Sequence, residues 1–344
     1  MVTTTKTQSL TRKLYHEHVL KNLPKPFKAF AYGSPIITKN SHSKMLDYII
    51  VTDNAKEFHE KNMDMNPKHY SRIARVLLGA NYLQRVSDFV GCGVHFNAFV
   101  EIESPDKNEF EQEMYKYGVV ERVSLRRDLE SWKDLYIAGR MQKPYEIVCS
   151  GDQGSDKDEI IDNEKNKRAA LAYALLSLHD VKNNNEEVNE RKIYETIANL
   201  SYEGDVRHIF GAEDSRKAEK IVEQSFDMMR TWYDESFRDF RDSLKVVDYE
   251  DGRSDEVIKR VVSPHSTRKL LAMLPQPFLE TMVNGDLREL DMMSREANQE
   301  TIAKSIRLAS RNIVRKSSFR QTFLALMMND FDKAFSYAAQ KFRK

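Results

Sequence analysis

Cysteine is almost missing from this sequence. Cys92 and Cys149 are the two in 344 residues, and each lies in its own apolar segment. That leaves no disulfide framework and no cysteine pair with metal-ligand spacing, and it fits reduced thiols in a cytosolic or matrix compartment. Long apolar runs are missing as well. A membrane span needs roughly 20 consecutive apolar residues. The most apolar stretches, "LLAMLPQPFL" from Leu270 and "FLALMM" from Phe323, are far shorter, so any contact with lipid is peripheral. Net charge is also lacking: 54 Lys and Arg against 53 Asp and Glu give +1, and the total names no partner. Acid is scarce at the two ends, however. Residues 1–44 carry eight Lys and Arg against Glu17 alone, and residues 304–344 carry ten against Asp330 and Asp332. Two basic ends imply an anionic partner that meets both. The first sixteen residues hold no acid and are rich in Thr, Ser, Lys and Arg, a short stretch with the composition of a transit peptide.

What is present reads as α+β. Short β-branched and aromatic runs predict strands at 27–32, 45–51, 94–102, 115–120 and 145–148. Asn66 as N-cap and Pro67 at the first position predict a helix continuing through Ile73, Val76, Leu77, Ala80 and Leu83. A second helix is expected over 125–136. The polar, acid-rich segment 149–166 reads as a boundary, and beyond it helices are expected at 166–180, 188–201, 215–240, 255–273, 286–309 and 320–342. The division expected is 1–150, 160–250 and 255–344, the last region ending in an amphipathic tail.

The candidate chemistry begins at Gly33-Ser34. A Gly-Ser turn after a strand offers free backbone N–H groups that can cradle phosphate oxygens. After twelve intervening residues, Asp47 opens another strand, where a carboxylate could hold Mg²⁺ against the same phosphates. This is the pattern of the nucleotidyltransferase fold, though an ordinary turn and an edge-strand charge explain it equally. Glu101 or Glu103 on the 94–102 strand is a further candidate carboxylate; strict alternation puts Glu101 on one face with His95, Asn97 and Phe99. His59, Asn62, Asn66 and His69 lack zinc spacing, which leaves nucleotide contact or packing and capping.

Longer motifs go further. "FHEKNMDMNPKHYS" (58–71), "YKYGVV" (115–120), "LYIAGRMQKP" (135–144), "LSYEGDVR" (200–207) and "VRKSSFRQT" (314–322) occur in this order. Together with "AYGS" and the Asp47 strand they resemble the mitochondrial translocator assembly and maintenance family, whose members are CDP-diacylglycerol synthases. The resemblance runs from Ala31 to Thr322. It implies a nucleotidyltransferase-fold domain, a helical, winged-helix-like domain and a helical tail. It also implies a reaction, CTP plus phosphatidic acid giving CDP-diacylglycerol and pyrophosphate with Mg²⁺. On that reading Tyr32, Gly33 and Ser34 meet the triphosphate, while Asp47 carries the metal with Glu101. Lys116, Arg140 and Lys143 offset phosphate charge. His69, Tyr70 and Ser71, with Ser201, Asp205 and Arg207, contact the nucleotide. Two departures stand out: Pro35 replaces a glycine, and Ile49 stands where the superfamily has a second carboxylate.

In the tail, Arg307, Arg311 and Arg315 recur every four residues, with Arg320 beyond them. Phe323, Leu324, Met327, Met328, Phe331, Phe335 and Ala338 form an apolar stripe. Such a helix suits an anionic membrane interface, and core packing is the other use of the stripe. The expected place is the matrix side of the mitochondrial inner membrane in a eukaryote, or the cytoplasmic face of the cell membrane in a bacterium. Two rival readings remain: a catalytically silent membrane-associated assembly factor, and a nucleotidyltransferase acting on RNA or a small molecule. No basic surface interleaved with aromatics supports nucleic acid, and the sequence leaves homo-oligomerisation open.

Overall fold

The computed structural model describes residues 15–25, 27–33, 36, 45–72, 74–75, 79–102, 114–149, 163–178, 187–209, 216–240, 244–247, 257–260, 263–296 and 299–328. These build two compact units, one drawn from Met1–Leu125, Tyr145–Ile161 and Arg320–Lys344, the other from Arg126–Pro144 and Asp162–Phe319. Most of the polar segment 149–166 lies outside the described residues.

The first unit is organised by a five-stranded mixed sheet. Its strands are β1 (Lys28–Tyr32), β2 (Leu46–Thr52), β3 (Val94–Glu101), β4 (Met114–Glu121) and β5 (Glu146–Cys149), in the order β3-β4-β2-β1-β5. β2 and β4 run parallel and the other neighbours antiparallel. All five runs expected from the sequence are strands. Register sorts the side chains cleanly. Ala31, Tyr48, Tyr115, Tyr117 and Val119 belong to one face, and with Val19, Leu20, Phe27, Leu46, Ile50 and Phe58 they form the core of this unit. Tyr32, Asp47 and Lys116 alternate to the other face.

The loop from β2 to β3 differs from the helix expected after Asn66. Helix α1 (Ala55–Met65) comes first, capped by the Asn54 side chain, which accepts from the Glu57 N–H. Asn66 closes this helix and also opens the next turn, its carbonyl accepting the His69 N–H at 3.0 Å, but its side chain caps neither: Nδ2 donates to the Asn22 carbonyl and to Asn62 Oδ1. A 3-10 turn over Pro67–His69 follows, then Tyr70 in extended conformation. Arg72, Ala74 and Arg75 are then helical, the Arg75 N–H donating to the Ser71 carbonyl at 3.1 Å. Helix α2 (Gly79–Phe89) follows, burying Ala80 and Leu83 as the periodicity requires. The Ile73, Val76 and Leu77 side chains lie outside the described residues.

In the second unit, α3 (Arg122–Ser131, its first residues in the first unit) stops before the expected residue 136. Trp132 and Leu135 adopt left-handed conformations there, at φ +53° and +49°. The short helix α4 (Ala138–Met141) follows, then α5 (Glu164–Ser177), which is buried on nearly every side and serves as the hub. Around it come β6 (Glu187–Asn189), α6 (Glu190–Leu200), α7 (Val206–Ile209), α8 (Lys217–Arg238), β7 (Leu244–Val247) and β8 (Val257–Arg260). Then follow α9 (Pro264–Leu271), α10 (Gln276–Met282), α11 (Leu287–Glu296) and α12 (Gln299–Met328). The expected helix over 255–273 is corrected: its first part is β8, which pairs with β6 and β7 in an antiparallel three-stranded sheet. Isolated strands of three or four residues leave little periodicity to read, and only their pairing fixes them.

Candidate active site

Strand register places the first candidate constellation. Tyr32 ends β1 opposite Asp47, and Asp47 pairs in turn with Lys116 of β4. The three share one sheet face, on adjacent strands about 4.8 Å apart. Gly33 leaves β1 immediately beside Asp47 at φ +87°, a conformation that excludes a Cβ at low cost. Its carbonyl accepts the Ile36 N–H at 3.1 Å, closing a turn whose middle residues, Ser34 and Pro35, lie outside the described residues. The Lys116 ammonium stands 4.3 Å over the Phe96 ring.

Glu101 reaches this face by an irregularity that alternation misses. β3 shifts register between Asn97 and Val100, with Phe99 at φ +57°. The bulge returns Val100 to the face of Tyr115 and turns the exposed Glu101 towards that of Asp47 and Lys116. Glu101 is therefore not on the face of His95 and Asn97, as the sequence led one to expect. Two strand spacings and two residues of offset separate the α-carbons of Asp47 and Glu101 by about 12 Å. Among the described residues no three His, Cys, Asp or Glu gather as metal ligands. Mg²⁺ asks for hard oxygen donors and is commonly held by one or two carboxylates together with substrate phosphates, so the half-exposed Asp47 fits it. Glu101 meets the same ion only if both side chains lean towards each other.

The histidine- and asparagine-rich motif sits on the opposite side of the sheet. Asn62 Nδ2 donates to the hydroxyls of Tyr70 at 2.9 Å and Tyr117 at 2.6 Å. Those hydroxyls meet Nδ1 of His59 at 2.8 Å and Nδ1 of His69 at 2.9 Å. The Tyr70 ring stacks on His95, which lies 5.3 Å from His59. Burial pushes the His95 pKa down to about 4; burial and then the His95 charge push that of His59 well below its ordinary value. Ser71 caps the next turn, its Oγ accepting the Ala74 N–H at 3.2 Å. The structure thus brings His69 and Tyr70 together with one another and not with Asp47.

In the second unit a cationic constellation forms around Lys143. Its buried ammonium donates to the Gly139 carbonyl and to Ser201 Oγ at 2.9 Å, and stands 5.2 Å from the Tyr202 ring. Lys217, the first residue of α8, approaches the same ring at 5.0 Å. Burial, then the charges of Arg140 and Lys217, push the Lys143 pKa down to about 7. Arg140 lies 3.9 Å over the Tyr136 ring. The Asp205 carboxylate accepts from Arg207 Nε at 3.0 Å and from its backbone N–H at 2.9 Å, so it positions that guanidinium. Glycine is required at two points here. A Cβ on Gly139 would come within 2.4 Å of the Ser201 Cβ, and one on Gly204, at φ +94°, within 2.5 Å of the Arg311 carbonyl oxygen.

Sequence reading missed the residue that shapes this loop. Buried Asp128 accepts the backbone N–H groups of Asp134, Tyr136, Ile137 and Ala138 at 2.8–3.1 Å, which holds the turn that presents Arg140. Lys217 was missed as well. Neither carries a local signal, since their partners arrive from other segments.

The late motif divides between supports. Ser318 Oγ accepts the Val206 N–H at 3.1 Å, and Gln321 Nε2 donates to the carbonyls of Gly91 and Val94. Arg311, Arg315 and Phe323 are exposed on α12, Arg320 is half-buried, and Leu324 packs inward. Phe331 and Phe335 lie outside the described residues.

The family described as "Phosphatidate cytidylyltransferase, mitochondrial" matches residues 16–344. The chain belongs to this family. Similar proteins carry the same description: one from Xenopus laevis is 31% identical over 92% of this chain and 89% of its own. One from Mus musculus is 30% identical over 95% and 93%, and one from Danio rerio 28% identical over 96% and 94%. Full-length likeness of this kind covers both constellations together.

Proposed function

We propose that this chain is a phosphatidate cytidylyltransferase, joining CTP and phosphatidic acid into CDP-diacylglycerol and pyrophosphate. The observation that carries the reading is the family match across 16–344, which spans both the Asp47–Lys116 sheet face and the Lys143 constellation. An oxygen of the lipid phosphate forms a bond to the α-phosphorus of CTP. The bond from that phosphorus to the α,β-bridging oxygen breaks, and pyrophosphate leaves with the electron pair. The lipid phosphate is already ionised near neutral pH, so no strong general base is needed; positioning and charge neutralisation do most of the work.

Each side chain has a part in this scheme. Tyr32 and the Gly33-Ser34 turn meet the triphosphate beside Asp47, in the manner of a nucleotidyltransferase fold. Asp47, with Glu101 as the more distant candidate, would hold Mg²⁺, which when bound neutralises phosphate charge. Lys116 lies across from Asp47 and stabilises charge that develops on the transferring phosphate. In the second unit Lys143, Arg140 and Arg207 bind phosphate oxygens, with Ser201 and Asp205 orienting two of them. The small sheet beside α6 and α8 is compatible with a winged-helix-like second domain. His69, Tyr70 and Ser71 are assigned to the scaffold under the sheet.

The enzyme works as a peripheral membrane protein, on the matrix side of the mitochondrial inner membrane. Among the described residues no helix is long and apolar enough to cross a membrane, and α12 presents Arg311, Arg315 and Phe323 outward. The test is purified chain with Mg²⁺ and labelled CTP, with and without phosphatidic acid. Label entering lipid only when phosphatidic acid is present supports the reading. Label entering RNA, or no turnover at all, replaces it with a different transferase or with a silent assembly factor.

A further inference from the structure

Large apolar side chains that a folded chain leaves in water are informative when they gather. Eleven are exposed among the described residues, and five of these belong to segments that meet at one turn of the first unit. The turn Gly91–Val94 leaves the end of α2. Gln321 bonds its carbonyls, Leu324 packs so closely that a Cβ on Gly91 would meet it at 2.9 Å, and Ser124 approaches Gly93 equally closely. Around this junction Phe89 is 81% exposed and Val123 67%, while Tyr82, Phe323 and Leu326 are more than half exposed. Tyr82 and Phe89 stand seven residues apart on α2, two turns along one side, with exposed Arg85 between them.

Charge selects the occupant. From Thr301 to Met328, α12 holds Lys304, Arg307, Arg311, Arg315, Lys316 and Arg320 and no acid. Along this one helix the run leads directly to exposed Phe323 and Leu326. An apolar, aromatic end that follows such a run matches the interface of an anionic bilayer, where aromatic rings sit at headgroup level and cations meet lipid phosphate. We infer that the end of α2, with Tyr82 and Phe89, is a membrane-docking element that enters an anionic bilayer together with Val123 and with Phe323 and Leu326 of α12. The surface goes beyond the proposed reaction and rests on it in one respect, that the substrate is a lipid. It places the sheet unit directly at the bilayer, independently of residues 329–344.

Full-length Phe89→Ser and Tyr82→Ser variants test this by flotation with vesicles of phosphatidylcholine and phosphatidic acid. Burying one such ring is equivalent to about a ten-fold change in vesicle affinity, so each variant loses about that factor. Turnover of a short-chain phosphatidic acid dispersed as monomers stays at the wild-type rate, because only the interface has changed. Equal flotation of both variants and wild type overturns the inference. So does a self-association that the variants abolish, which would assign the patch to a second copy. So, too, does flotation that rises when residues 329–344 are removed, which would show that segment covering the patch. Wild-type chain that floats but makes no CDP-diacylglycerol leaves this surface standing and removes the enzymatic reading instead.

Discussion

Replacing Asn62 by leucine removes the node of the buried network beneath the sheet at nearly constant side-chain volume. Its amide group donates to Tyr70 and Tyr117, and its carbonyl oxygen accepts from Asn66 at 2.8 Å. Each neutral hydrogen bond contributes about 1 kcal/mol net, so the three amount to about 3 kcal/mol. The tyrosine hydroxyls keep His59 and His69, so neither is orphaned, and the loss stays below the 4–5 kcal/mol or so that marks uncompensated burial. At about 2–4 °C per kcal/mol for a domain of this size, the melting temperature falls by about 6–12 °C. Urea unfolding and calorimetry measure the change. Steady-state kinetics, run well below the new midpoint, should show kcat and the KM for CTP within about two-fold of wild type, because no phosphate-binding atom has moved. A variant of normal stability whose KM for CTP rises ten-fold or more would refute the reasoning and return this motif to the nucleotide.

Three further outcomes are expected. The pKa values of His59 and His95 are depressed in the folded chain, so the unfolded chain takes up protons first as pH falls. Stability is full above the ordinary histidine pKa near 6.5 and declines below it towards pH 4, by up to about 1.4 kcal/mol per pH unit for each histidine. Melting curves between pH 8 and 4.5 check this, and a His95→Gln variant should flatten them. Lys143 loses its charge as pH rises through about 7 in the free chain, so kcat/KM should fall on that alkaline side. Lys143→Arg should remove this limb, and an unchanged limb would take Lys143 out of the phosphate site. Asp47→Asn should lower turnover by about 100-fold or more while the melting temperature stays within a few degrees. Near-normal turnover would end the metal assignment.

The local geometry of the candidate site was legible. Gly33-Ser34, the Asp47 strand and "AGRMQKP" are contiguous, and a glycine at positive φ or a charge at a strand's start is a property of a few consecutive residues. Features set by remote partners were not legible. Asn66 looks like an N-cap because caps are defined by composition, yet Asn62 and the Asn22 carbonyl claim its side chain. Glu101 looks as though it shares a face with His95, until one bulge changes its side.

The amino-acid sequence by itself determined the five strands of the sheet and the family. Those follow from side-chain type and short-range spacing, which act before any tertiary contact forms. Only the folded chain decided that Asp47 and Lys116 face one way and the histidine network the other. It alone made Asp128 the organiser of the Arg140 loop, and it alone left Phe89 in water. Register, bulges and burial arise from pairing between segments far apart in the chain, and no local pattern encodes them.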